Sequence, residues 1–221
     1  MGERKKYHRG RRKKKKGGII STLILIIAIA VFCVSGYQLY KIFGGYHQGK
    51  SEYDKVREVA VHGDDKDEDE FVVDFDELKK INADTVGWIR FYPEPSQISY
   101  PLVQTTDNDL YLNRTFSANE NTVGAIFVNC DNASDFSDRN TIIYGHRMMD
   151  HSMFHDLEKY KDESFWKENP YFYIYTPDGR KLSCHIYSAG IVKDTSSTYL
   201  TQFASDEEYQ AFLDDTKRAG A

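Results

Sequence analysis

From residue 17 to residue 40 the chain carries no charged side chain, and residues 19–34 are dominated by Ile, Leu, Val, Ala and Phe. About 20 such residues span a bilayer as a helix, so this stretch predicts a single transmembrane anchor at 17–40. A secretory signal peptide has a shorter apolar core and a small-residue cleavage site at its end. Here Ala28-Ile29-Ala30 lies in mid-segment, which favours an uncleaved anchor. Residues 46–62 follow with helical spacing, placing Tyr53, Val56 and Val59 or Ala60 on one side. Asp74 and Glu77 stand in capping-box spacing ahead of Leu78 and Ile81, predicting a short helix that ends at 82–84.

Beyond residue 85 the periodicity shortens from helix to strand. Segments 86–91, 98–104, 124–129, 140–144, 171–175 and 181–187 are rich in β-branched and aromatic residues. Pro101 marks the second as an edge strand or a strand start. Residues 107–113 predict a turn or short helix, and 176–180 a hairpin turn around Pro177-Asp178-Gly179. The last strand is expected to continue through 188–193, past Gly190. Residues 205–218 then predict a helix, with Ser205 as cap, Glu208 completing the box, and an apolar stripe of Tyr209, Phe212 and Leu213. Many short strands with few helices argue for a β-barrel or sandwich.

Charge refines this picture at the N-terminus. The net charge of −5 hides an asymmetry: residues 1–16 hold ten of the 29 basic residues and one of the 34 acidic ones, leaving the remainder at −14. A basic run directly before an apolar segment holds that end in the cytoplasm and touches anionic lipid, so nucleic-acid binding is set aside. Everything after the anchor is then expected outside the cell. The acidic run at 63–70 is a solvated spacer. The resulting organisation is a basic cytoplasmic tail at 1–16, an anchor at 17–40, a stalk and acidic linker at 41–73, and a folded domain at 74–221.

Candidate chemistry centres on Asn140-Thr141-Ile142-Ile143-Tyr144-Gly145-His146-Arg147-Met148. A short strand stops at Gly145, where the backbone must turn or let something approach closely. It presents His146 where a titratable group is held rigidly and still reaches a groove. Taken alone, the segment also fits a surface histidine after a strand. Cys33 lies in the apolar segment. Cys130 and Cys184 would be on the oxidising side, where a disulfide between them and two free thiols are both open, the latter favoured. His185 invites a Cys/His dyad with Cys184, but adjacent strand residues point to opposite faces. His151 and His155 have i, i+4 spacing beside Asp150 and Asp156. The intervening Ser152-Met153-Phe154 lacks the Glu base of a His-Glu-x-x-His site, so they read as partly exposed histidines without a metal.

The order of these pieces resembles the class B sortases. Asp74 to Leu78, Asn82, Gly87-Trp88-Ile89, Tyr100-Pro101-Leu102-Val103 and Asp107-Asn108 carry the first part of the resemblance. Gly124-Ala125-Ile126-Phe127, Ile142 to Met148, Ser152-Met153-Phe154, Leu157 and Tyr160 continue it, so that it covers roughly 74–218. It implies a mainly β fold with flanking helices, a sortase-type barrel behind one transmembrane helix on the outer face of a Gram-positive membrane. It implies a cysteine transpeptidase that cleaves an Asn-Pro-Gln-Thr-Asn-like sorting signal of a secreted protein. The reaction runs through a thioester and transfers the protein to a peptidoglycan amine, with no cofactor. His146 matches the family histidine, which exchanges protons with the leaving and incoming amines, and Tyr144 a position near the substrate groove. The family cysteine and arginine follow the late helix, and the 221 residues stop before them. Neither Cys130 nor Cys184 takes the nucleophile's place. The chain is therefore expected to be an inactive, incomplete barrel on its own. The alternatives are a catalytically dead, membrane-anchored peptide-binding module and, more remotely, an unrelated extracellular β-domain.

Overall fold

The computed structural model describes residues 17–64, 67 and 70–219. The basic tail at 1–16 and half of the acidic run therefore lie outside the described residues. The chain divides into two compact units, Met1–Gly44 and Gly45–Ala221. Within the first, the described residues belong to helix α1 (Gly17–Ala60), whose apolar side chains from Ile20 to Phe43 are exposed. This is the one described helix long and apolar enough to cross a membrane.

The second unit begins with the rest of α1. The expected helix at 46–62 is not a separate element: α1 runs to Ala60, with no Pro in residues 17–60 and the Gly44-Gly45 pair kept within it. Its apolar side is the one the spacing predicts. Tyr53, Val56 and Ala60 are buried, whereas Val59 is exposed. Strands β1 (Val61–His62) and β2 (Val72–Val73) form a short antiparallel pair around the acidic run. Helix α2 (Phe75–Ile81) starts where Asp74 accepts a hydrogen bond from the Glu77 amide at 3.0 Å, so the N-cap is as predicted.

The main sheet has six strands: β3 (Thr85–Phe91), β4 (Ser99–Val103), β5 (Ile126–Val128), β6 (Ile143–Tyr144), β7 (Tyr171–Tyr175) and β8 (Lys181–His185), in the order β6-β5-β4-β3-β7-β8. Only β4 and β5 run parallel. Between β4 and β5 the chain makes a single 3₁₀ turn, Leu110–Leu112, and between β6 and β7 a 3₁₀ helix, His155–Lys161, and helix α3 (Glu163–Glu168). Helix α4 (Asp206–Ala219) closes the described chain, and the Ser205 hydroxyl caps it by accepting from the Glu208 amide at 3.2 Å. The Glu208 carboxylate reaches back to the Ala204 amide, one residue earlier than an ideal capping box.

Two strand expectations are corrected. Pro101 is buried in the interior strand β4, not at an edge. It is tolerated there because β5 accompanies only Leu102 and Val103, so the missing N–H has no strand to serve. The segment 188–193 does not extend β8. The strand ends at His185, and the chain beyond is irregular with Ile191 exposed, because among the described residues no neighbouring strand is there to take up its backbone groups. The core lies over β3, β4 and β5. Trp88, Leu102 and Ile126 are essentially solvent-free, and the Trp88 indole N–H donates to Ser99 Oγ at 3.0 Å.

Candidate functional site

His146 lies just past β6, held from three directions. Its ring Nε2 is 2.6 Å from the Leu112 carbonyl. A carbonyl only accepts, so Nε2 carries the hydrogen and Nδ1 is the nitrogen available for other work. Its own carbonyl accepts from the Phe154 amide at 2.9 Å, which folds the following loop back against the strand. Gly124 then supplies the third wall. Its φ is +66°, and an added Cβ would stand 2.8 Å from His146 Cδ2 and from the Tyr111 and Leu112 carbonyls. Only a residue without a side chain fits that position.

Gly145 meets the expectation of close approach. A Cβ there would lie 2.5 Å from Ile126 Cδ1 and 2.6 Å from Phe154 Cδ2. The strand therefore passes directly over the core before presenting the histidine.

The Leu112 carbonyl is itself anchored. Neighbouring Tyr111 is buried, donates its hydroxyl to Asp84 Oδ2 at 2.8 Å, and accepts from Asn82 Nδ2 at 2.7 Å. Burial raises the Tyr111 pKa to about 12; the Asp84 hydrogen bond adds to this and the Asn82 hydrogen bond opposes it. On the other side, the Tyr53 hydroxyl donates to the Gly124 carbonyl at 2.7 Å and accepts from the Phe116 amide at 3.1 Å. The imidazole is thus fixed by the Leu112 carbonyl and packed against Gly124, next to the buried Tyr111 and Tyr53.

Tyr144 is half-buried beside Phe127, with ring centroids 5.1 Å apart, and pairs with it across the β5–β6 ladder. Burial raises its pKa, and Tyr199, Cys130 and Asp131 add to that electrostatically. Arg147 is exposed and pairs with Glu158 at 2.6 Å, which holds the Glu158 carboxyl below its usual range.

The cysteines do not join His146. Continuing the ladder Phe127↔Tyr144 and Val128↔Ile143 sets Cys130 opposite Thr141. Cys130 itself lies in the turn after β5, past the end of that ladder. The Cys130 amide donates to Asn108 Oδ1 at 2.9 Å. Cys184 sits on β8, at the opposite edge of the sheet from β6, and burial raises its thiol pKa. Its neighbour His185 is exposed where Cys184 is half-buried, so the two face opposite sides. Cys33, Cys130 and Cys184 are all free thiols.

The histidine pair at 151 and 155 departs from expectation. His151 is exposed, but His155 is 7% exposed and opens a 3₁₀ helix rather than sharing an α-helix with His151. The His151 ring packs against His155, with centroids 4.1 Å apart. A depression of about 800 Å³ is lined by Asp107, Leu110, Arg114 and Glu120, and another of about 660 Å³ by Tyr53, Arg57, Tyr100 and His151. Neither is lined by His146, so volume alone does not locate this site. Sequence reasoning missed the Leu112 carbonyl, which no side-chain motif reveals. It also missed the role of Gly124, whose only trace was a glycine just before a strand.

No family model matches the chain. It is 30% identical to sortase B of Staphylococcus aureus over 197 residues, covering 89% of this chain and 80% of that protein. It is also 30% identical to sortase B of Listeria monocytogenes over 205 residues, covering 88% of this chain and 79% of that one. Among solved structures it resembles sortase B from Bacillus anthracis, with a TM-score of 0.69 and 31% identity over 81% of this chain and 83% of that chain. A substrate complex of the S. aureus enzyme matches with a TM-score of 0.62 and 28% identity, over 84% of this chain and 80% of that chain.

Proposed function

The chain belongs to the class B sortase family, a family of cysteine transpeptidases, and on that premise we propose that His146 is its proton-transfer residue. In this reading a sorting signal of the Asn-Pro-Gln-Thr-Asn type is cleaved through a cysteine acyl-enzyme, and a peptidoglycan amine resolves it. His146 protonates the leaving amine and deprotonates the incoming one. Nδ1 is the atom that exchanges the proton, because Nε2 is committed to the Leu112 carbonyl. Tyr144, two residues earlier on β6, lies along the path of the peptide. Helix α1 anchors the protein through residues 17–40, with the basic tail inside and the sheet outside.

The observation that carries this reading is the rigid placement of His146 at the end of β6, between Leu112 and Gly124. General acid–base contributions are about 10²–10⁴-fold. In the protein as its own membrane holds it, His146→Ala should therefore lower transfer of a signal-bearing substrate by about that factor. Unchanged transfer would overturn the assignment.

The positions of the cysteines favour a second reading for these 221 residues taken alone. With Cys184 at the opposite edge of the sheet from β6 and Cys130 in the turn after β5, they form a membrane-anchored module that binds a sorting peptide without cleaving it. A fluorogenic Asn-Pro-Gln-Thr-Asn peptide added to the purified chain should then bind without turnover. Thiol-dependent cleavage by this chain would exclude that reading.

A further inference from the structure

We propose that His151, His155 and Asp156 form a binding site for one divalent ion of the zinc class, separate from His146 and independent of the transpeptidase reading. One ligand atom from each of the three lies within 4.8 Å of the others. His151 Nδ1 and Asp156 Oδ1 are 3.2 Å apart. Two ligands bound at about 2.0–2.1 Å to a tetrahedral ion stand at nearly that separation. Two imidazoles and a carboxylate are donors that suit zinc and its neighbours in the first transition row.

The second observation is His155 itself. Its side chain is 9% exposed, and its Nδ1 is buried without a hydrogen-bond partner. Its other nitrogen, Nε2, faces Glu158 Oε1 at 3.4 Å. A carboxylate on Nε2 stabilises the hydrogen there and leaves the lone pair on Nδ1. This is how histidine ligands are usually oriented by an outer carboxylate. A buried lone pair with nothing to accept is costly unless a ligand takes it. Asp156 is placed to bind through one oxygen, since Oδ2 is engaged by Lys159 Nζ at 2.8 Å. The His151 side chain is 68% exposed, so the outer positions of the ion fall to water.

Such an ion would clip together the two ends of the turn at 151–156. That turn is continuous with the loop whose Phe154 amide bonds the His146 carbonyl, and Glu158 links it to Arg147. The ion's expected role is to stiffen this loop.

The test uses the full chain in detergent micelles, stripped with a chelator and titrated with Zn²⁺ against a chromophoric competitor, then with Co²⁺ followed by visible absorption. The expected result is saturable one-to-one binding, a visible Co²⁺ band and a higher melting temperature with Zn²⁺. His151→Ala also removes the contacts with Asp156 and His155, so its own metal-free melting temperature is the reference for its response to Zn²⁺. Its Zn²⁺ affinity should fall at least tenfold, and the Co²⁺ band should be lost. Glu158→Gln should weaken affinity about tenfold, as loss of an outer-shell partner does. Absence of saturable binding would overturn the proposal. So would binding that is undiminished in His151→Ala, because the ion would then be held by the acidic run or another surface.

Discussion

Ile126 is completely buried and Ile191 is 87% exposed, although each belongs to an apolar stretch of similar composition. Ile126 lies on β5 between β4 and β6, with Gly145 passing over its side chain. Ile191 lies beyond β8, where no further strand of the sheet follows among the described residues. Tyr187, Val192, Tyr199 and Leu200 share its exposure. The region after β8 is held by a small aromatic cluster of Phe203, Tyr209 and Phe212 and by single polar contacts. Asn140 Nδ2 donates to the Thr198 and Leu200 carbonyls, the Ser188 hydroxyl donates to the Thr216 carbonyl, and Arg139 pairs with Asp206. The difference teaches that His146 belongs to the well-supported half of the molecule. Its position depends on a buried surround, whereas the late segment relies on exposed hydrogen bonds and one small aromatic cluster.

The sharpest way to break that contrast is to empty the supported half. Trp88→Ala removes a fully buried indole and its bond to Ser99, and should cost about 3–5 kcal/mol, as large-to-small core changes do. Denaturant unfolding of the full chain in micelles measures it. A loss below 1 kcal/mol would mean that the sheet centre is not the stability core.

A smaller change probes the support of the Leu112 carbonyl. Tyr111→Phe should cost about 1–3 kcal/mol at pH 7, because it leaves buried Asn82 and Asp84 groups short of a partner. The pH dependence has a definite sign. The folded Tyr111 pKa, about 12, is raised above the ordinary value of about 10. Its contribution is therefore whole below pH 10 and lost as pH rises from 10 through 12. Across that window the wild type should lose more stability than Tyr111→Phe. Parallel curves for the two proteins would contradict the assignment.

The smallest effect belongs to the other half. Asn140→Ala should cost about 0.5–1.5 kcal/mol for bonds of this kind, with faster amide exchange at 196–200 and unchanged exchange in β3 and β4. If β3 and β4 also exchange faster, the two regions unfold together and the contrast disappears.

Much of this was legible in the chain. The cap at Asp74, the buried side of the helix before β1, the β7–β8 hairpin and the requirement for glycine at 145 follow from local chemistry. The pattern of strands and the order of motifs were enough to mark His146. Other features were not legible. The parallel pairing of β4 with β5 joins residues more than 20 positions apart, and it explains why a proline sits in an interior strand. The burial of His155, with the His151 ring packed against it, is likewise encoded in no local periodicity.

By itself, then, the sequence determined most of the strands and the capped helices, which segment is apolar enough for a membrane, and which histidine ends a strand. Propensity, capping and side-chain period are properties of neighbouring residues, so they can be read in order. The tertiary structure alone decided what holds that histidine. The Leu112 carbonyl, the left-handed Gly124 and the tyrosines at 53 and 111 come from separate stretches of chain. It alone also put Cys184 at the opposite edge of the sheet from β6, because position across a sheet exists only once the strands have paired.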